Sequence, residues 1–261
     1  MRVSRLRPRL AVLVYCAVLF LARPAYAEEV RVMTSGGTAA AYVALAPQFE
    51  RATGHTLVTL ATSTGIGADS ITSRVRRGEA VDVIILSRAG IDELISEGKV
   101  VAASRVDLAR SSIGMAVRRG APKPDISSVE ALKRALLQAQ SVAYSAQVSG
   151  IYLSTELFPR LGIVDQMAKK SIRVDMGRVG AVVARGEAEI GFQQISELWE
   201  VPGLDYVGPL PAEVQRVTVF SAGVAAGARN PTAARALIEF FASSSGSETM
   251  AKSGLDPISR H

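Results

Sequence analysis

The stretch Val81-Asp82-Val83-Ile84-Ile85-Leu86 is apolar at every position but Asp82. A run of this kind reads as a parallel strand covered by helices on both faces, because a strand with one wet face would alternate apolar and polar residues. The rest of the chain repeats that setting. Val30 to Met33, Leu57 to Leu60 and Val81 to Leu86 are strand-like, and each is followed by a helical pattern: Thr38 to Thr53, Gly67 to Arg77, Ala89 to Glu97. Short strands alternating with helices define an α/β fold with a largely parallel sheet.

A second series starts near Ser112. It comprises strands at Ile113 to Val117, Ser141 to Tyr144, Ile172 to Val174 and Ile190 to Phe192. Helices are expected at Ser128 to Gln138, Ser149 to Leu161 and Arg178 to Arg185. Gly120 to Pro124, Pro202-Gly203 and Gly208 to Pro211 read as loops. A strand at Val214 to Phe220 and helices at Pro231 to Ser243 and Ser247 to Ser253 close the chain, with Asn230 as cap before Pro231. With 261 residues, 48% hydrophobic and 21% charged, the chain has the length and composition for one large domain or two lobes, and disordered or fibrous classes are excluded. Two α/β series and a returning C-terminal segment predict two lobes, residues 28–110 with 222–261 and residues 111–221, enclosing a ligand cleft. A single doubly wound sheet has the same periodicity.

Arg2, Arg5, Arg7 and Arg9 precede an apolar run from Leu10 to Leu21, and Ala25-Tyr26-Ala27 follows. This is the pattern of a secretory signal peptide cleaved after Ala27, with an apolar core too short to span a bilayer. Its removal takes away five arginines and no acids, which lowers the net charge from +6 to about +1 and removes the case for a nucleic-acid partner. The mature chain is then expected outside the membrane. Cys16 is the single cysteine, and His55 and His261 are the two histidines, so neither a disulfide nor a metal site is expected.

Four loops share one arrangement, a strand followed by small hydroxyl or glycine residues and then a helix. They are Thr34-Ser35-Gly36-Gly37-Thr38, Thr62-Ser63-Thr64-Gly65, Ser145 to Gly150 with Ser149 inside it, and Gly177-Arg178-Val179-Gly180. Unpaired N–H groups, the positive end of the helix dipole and hydroxyl donors suit such loops to an anion, and in open α/β sheets they gather at the carboxyl ends of the strands. Each is equally the pattern of a plain helix cap. No phosphate-loop lysine or third glycine of a dinucleotide fingerprint is present. Arg178 offers a guanidinium at the fourth loop, and Arg88 follows the buried strand. Gln193 and Gln194 follow the last short strand, with Glu197 one turn on as the best-placed carboxylate for proton transfer. His55, after Gly54, is expected in an exposed turn.

Across almost the whole mature chain these residues resemble the periplasmic molybdate-binding proteins of ABC transporters, within the two-lobed type II solute-binding fold. The resemblance rests on Ser35-Gly36-Gly37, Phe49 to Gly54, Gly78 to Val83, Leu94 to Lys99, Gly186 to Gly191 and Asn230-Pro231. It implies an oxyanion held by Ser35 and Ser63, by the backbone of Ser145 to Gly150, and by Arg178-Val179. Where that family has a tyrosine, this chain reads Gly191-Phe192-Gln193-Gln194-Ile195-Ser196-Glu197, and amides in place of a phenol suit a larger, carboxylate-bearing ligand. The Ser-Gly-Gly-Thr-Ala-Ala-Ala-Tyr opening and the Gly-Phe-Gln-Gln-Ile-Ser-Glu-Leu segment also resemble periplasmic aconitate isomerases.

Two readings follow. The first is a monomeric periplasmic receptor that closes on a small anion, an organic polycarboxylate or an oxyanion, and delivers it to an ABC permease; this is the commoner use of the fold. The second is an isomerase that interconverts cis- and trans-aconitate by proton transfer without a cofactor, with Glu197 nominated as base ahead of Tyr144 and His55.

Overall fold

The computed structural model describes residues 27–60, 67–175, 177–199 and 201–258. Residues 1–26, where the signal peptide is expected, and Thr62, Ser63, Thr64 and His261 lie outside the described residues. The first lobe opens with β1 (Glu29–Thr34), α1 (Gly36–Thr53), β2 (Thr56–Thr59), α2 (Ile71–Arg76), β3 (Val83–Ser87) and α3 (Arg88–Ser96). β1 lies between β2 and β3 and runs parallel to both. Alternation along β3 explains its unbroken apolar sequence. Val83 and Ile85 join Tyr42, Leu45 and Phe49 of α1 in one core, while Ile84 joins Ile71, Val75, Ile91 and Leu94 of α2 and α3 in another.

The chain changes lobe between β4 (Val106–Ser111) and β5 (Ile113–Arg118). The second lobe continues through α4 (Val129–Gln138), β6 (Val142–Ser145), α5 (Val148–Tyr152), α6 (Phe158–Leu161), α7 (Val164–Ala168) and β7 (Ser171–Val174). After these come α8 (Val179–Ala184), β8 (Ile190–Gln194), α9 (Ile195–Leu198) and β9 (Leu204–Pro209). The return to the first lobe is β10 (Thr218–Val224), α10 (Pro231–Phe241), α11 (Ser244–Lys252) and β11 (Asp256–Pro257). The sheets are ordered β11-β4-β10-β3-β1-β2 and β7-β6-β8-β5-β9. Both therefore repeat one plan, three parallel strands followed by an antiparallel one: β10 beside β3, and β5 beside β8. The separate sheets give a two-lobed α/β fold and not a single doubly wound sheet.

Three of the expected segments take a different form, and β4, α7 and β11 were not expected from the sequence. The strand expected at Val214 to Phe220 is β10, four residues further on, and Ala212–Val214 form a 3-10 turn. Ser221, Ala222 and Gly223 carry little strand propensity, but their small side chains are what a central strand under α3 admits, since a Cβ on Gly223 would press on Val100. Gly208 and Pro209, expected in a loop, end β9; this is an edge strand, where a residue lacking an N–H is tolerated. The helix expected from Ser149 to Leu161 is α5 and α6 with a π-helical turn at Leu153–Leu157 between them.

Asn230 stands at the cap position of α10, but its side chain does not cap; its Nδ2 donates to the Glu29 carbonyl at 2.7 Å. Asp82, 1% exposed, takes over that end of the helix. Its carboxylate accepts the backbone N–H groups of Arg31 at 2.8 Å, Arg229 at 2.6 Å and Asn230 at 3.2 Å. One side chain thus ties β1 to α10. Asp82→Ala is expected to lower stability by about 2 kcal/mol, and Asp82→Asn, which keeps an acceptor, by less; urea unfolding midpoints of the two variants check the order.

Candidate functional site

β1 ends at Thr34, and Ser35 turns the chain into α1 without capping a backbone N–H of the helix; its Oγ lies 3.4 Å from the Thr38 Oγ1. Gly37 is required by a close approach, because any Cβ there would enter the ring of Phe220 on β10. Opposite, β6 ends at Ser145, whose Oγ lies 3.1 Å from the Ser149 Oγ. Gly150 packs its α5 turn directly on the Ser145 carbonyl, again leaving no room for a Cβ. The lobes meet where Ser196 of α9 donates its hydroxyl to the Gly37 carbonyl at 2.7 Å.

Glu197 occupies the seam. It borders a cavity of about 340 Å³ with Thr34, Gly36, Tyr42, Thr59, Gly177 and Arg178. On its other side lies a narrow cavity of about 40 Å³ with Ser35, Gly37, Ser149, Gln194 and Phe220. The narrow cavity shares Ser35, Gln147 and Val148 with a further one of about 390 Å³. The structure thus brings together Ser35, Gly36, Gly37, Ser149, Arg178, Gln194 and Glu197 from three of the four loops and the end of β8.

Glu197 is 5% exposed, and Gln193 donates Nε2–H to its Oε1 at 2.8 Å. The Gln193 Oε1 accepts the Val179 N–H at 3.0 Å; a backbone N–H can only donate, so the amide is held in one orientation. Both polar ends of Gln193 and the N–H of Val179 are therefore used within the protein. Burial pushes the Glu197 carboxyl up to about 7, and the nearby Arg178 guanidinium and the Gln193 hydrogen bond pull it back in part. A carboxyl poised there can take up and return a proton at neutral pH.

Tyr42 is a cleft residue the sequence reading did not single out. It is 3% exposed, its hydroxyl lies 2.8 Å from the Thr59 Oγ1, and burial raises its phenol. The available signal was a polar-tipped aromatic in the helix that starts at Ser35. The other nominated groups lie elsewhere. Arg88 pairs with Asp107 at 3.2 Å, and Tyr144 packs edge-on against Phe158 in the second lobe's core. His55 is not exposed as expected; it is half-buried, stacked at 5.9 Å on Phe49, and its Nδ1 accepts the Glu28 N–H. Among the described residues no group of three or more His, Cys, Asp or Glu side chains gathers where it could hold a metal ion. None of their helices is long and apolar enough to cross a membrane.

The family model for bacterial extracellular solute-binding proteins matches residues 30–256. The chain is 43% identical over 256 residues to an aconitate isomerase from a Pseudomonas species, the match covering 96% of this chain and 98% of that one. It is 26% identical over 234 residues to a molybdate-binding protein from Azotobacter vinelandii, covering 85% and 87%. Among solved structures it superposes on the periplasmic molybdate-binding protein of Azotobacter vinelandii with a TM-score of 0.70 at 19% identity, over 87% of this chain and 98% of that one.

Proposed function

Because the chain belongs to the bacterial extracellular solute-binding protein family, we propose that its interlobe cleft holds a small anion, and that this anion is aconitate, interconverted between its cis and trans forms. The observation that carries the reading is Glu197: a buried carboxyl with a pKa of about 7, fixed by Gln193 and opening on the cavities at the lobe seam. An allylic isomerisation depends on a proton acceptor tuned to neutrality, and a cleft carboxyl of this kind fits that role. The 43% identity to an aconitate isomerase over nearly the whole of both chains supports it.

The reaction is redox-neutral. The Glu197 carboxylate takes a proton from the methylene carbon, the electron pair moves into the adjoining double bond, and the resulting carbanion spreads onto a neighbouring carboxylate. The same carboxyl, now protonated, returns the proton to the far carbon of the allyl unit, and rotation within the intermediate sets which isomer forms. Arg178 and the open end of α1 at Gly36 and Gly37 oppose the charge that builds up. Export by the N-terminal signal would place the enzyme in the periplasm as a monomer.

Proton NMR of the metal-free protein with either isomer, followed over hours against a protein-free control, is expected to show both approaching one equilibrium mixture. Saturable binding without conversion would instead support a receptor for an ABC permease, a reading that the fold shared with the molybdate-binding protein favours. Arg178→Ala is expected to weaken aconitate binding. It should also shift the acid limb of the rate profile to higher pH, because the charge that eases Glu197 ionisation is gone. An unmoved limb removes Arg178 from the site.

A further inference from the structure

Gln194, the last residue of β8, is 3% exposed; its Nε2 donates to the Thr218 Oγ1 at 2.8 Å, and its Oε1 has no hydrogen-bond partner among the described residues. Buried polar atoms are nearly always paired, so an unpaired one needs a reason. The amide borders the narrow cavity beside Ser35, Ser149 and Glu197. Its neighbour Gln193 is locked between Val179 and Glu197. Gln194 is tied to a hydroxyl, and a hydroxyl both accepts and donates. The amide can therefore turn over on Thr218 and present either its oxygen or its NH2 to the cavity.

We infer that Gln194 is a specificity-determining residue: with Thr218 donating to its Oε1, its Nε2–H groups hold one carboxylate of the ligand at the narrow end of the cleft. The inference rests on the tricarboxylate reading above. It explains why an unpaired amide is kept in a wall otherwise built to be satisfied: the ligand is its partner.

The test uses propane-1,2,3-tricarboxylate, which cannot isomerise, so that binding is read apart from turnover. Calorimetry is run on the protein and on Gln194→Met, which keeps the side-chain volume and removes the polarity. The expected result is an affinity lower by about tenfold or more with a ligand-free melting temperature close to the parent's, because removing the unpaired Oε1 offsets the loss of the hydrogen bond to the buried Thr218 hydroxyl. Butanedioate and pentanedioate, each lacking a carboxylate, complete a coupling cycle; the loss should vanish for the one missing the carboxylate that Gln194 holds. Gln194→Glu, nearly isosteric, should lose more affinity, and Thr218→Val, which keeps the glutamine, should lose less. Equal affinity in Gln194→Met, or a lower melting temperature with the same loss for all three ligands, overturns the inference and makes Gln194 structural. Failure of the unsubstituted protein to bind either the tricarboxylate or aconitate overturns the tricarboxylate reading and this inference with it.

Discussion

Glu197→Gln is expected to bind aconitate within a few-fold of the parent and to interconvert its isomers about a thousandfold more slowly or worse. Glutamine has the shape of glutamate, and its carbonyl still accepts the Gln193 Nε2–H, so the seam keeps its geometry. What is lost is a group that can take up a proton. Single-turnover NMR with calorimetric binding separates the two effects, and full activity in the variant removes Glu197 as base. In the parent, the rate should rise with pH through about 7 as the carboxyl ionises, then level off.

The same substitution has a stability signature whose sign follows from linkage. The folded carboxyl titrates near 7, raised from 4.5, so between those values the folded protein holds a proton that the unfolded chain has released. Stability conferred relative to an ordinary glutamate therefore falls as pH rises across that window, and above it the ionised, buried form costs on the order of 3 kcal/mol. Urea unfolding of Glu197→Gln should show it more stable than the parent at pH 8, with the advantage shrinking towards pH 4.

Gly150→Ala is expected to destabilise the protein by about 3 kcal/mol and to weaken the anion at least about tenfold. In an exposed helix this change would stabilise by about 1 kcal/mol through propensity. Here the new Cβ falls inside the Ser145 carbonyl, a main-chain atom that cannot swing away, so either the strand end or α5 must move. Both carry the serine pair of the second lobe. Gly246→Ala offers the control, since its Cβ, in α11, meets the Phe241 carbonyl at the end of α10, and neither residue lines the cavities beside Glu197. It should lower the urea midpoint and leave affinity alone. If Gly150→Ala keeps both, the Ser145 loop takes no part in binding.

Among the strands that sequence reading placed well are two buried on both faces, where Val83 to Ile85 and Ile113 to Val117 announce themselves by composition. The strands it displaced or missed owe their place to neighbours. β10 is chosen by the narrow space between β3 and β4, β9 by its edge position, and β4, with Asp107 and Arg110, by pairing with β10 and β11. At the site, the order of loops was legible, as was the nomination of Glu197 from its position one turn beyond Gln193. The difference between the two glutamines was not. Gln193 and Gln194 are the same residue type in consecutive positions, and only the packing of β8 sends one amide to Val179 and Glu197 and the other to Thr218.

Sequence by itself determined the alternation of strands and helices and the hydroxyl- and glycine-rich loops at helix starts, because each depends on local spacing or on composition. Tertiary structure alone decided which face of Glu197 is dry, since its pKa arises from burial between lobes whose facing segments, Gly37 and Ser196, are 159 residues apart. Desolvation belongs to the assembled seam and to no stretch of chain, and for that reason the raised pKa of a carboxyl already nominated from its sequence position appears only when the two lobes are seen together.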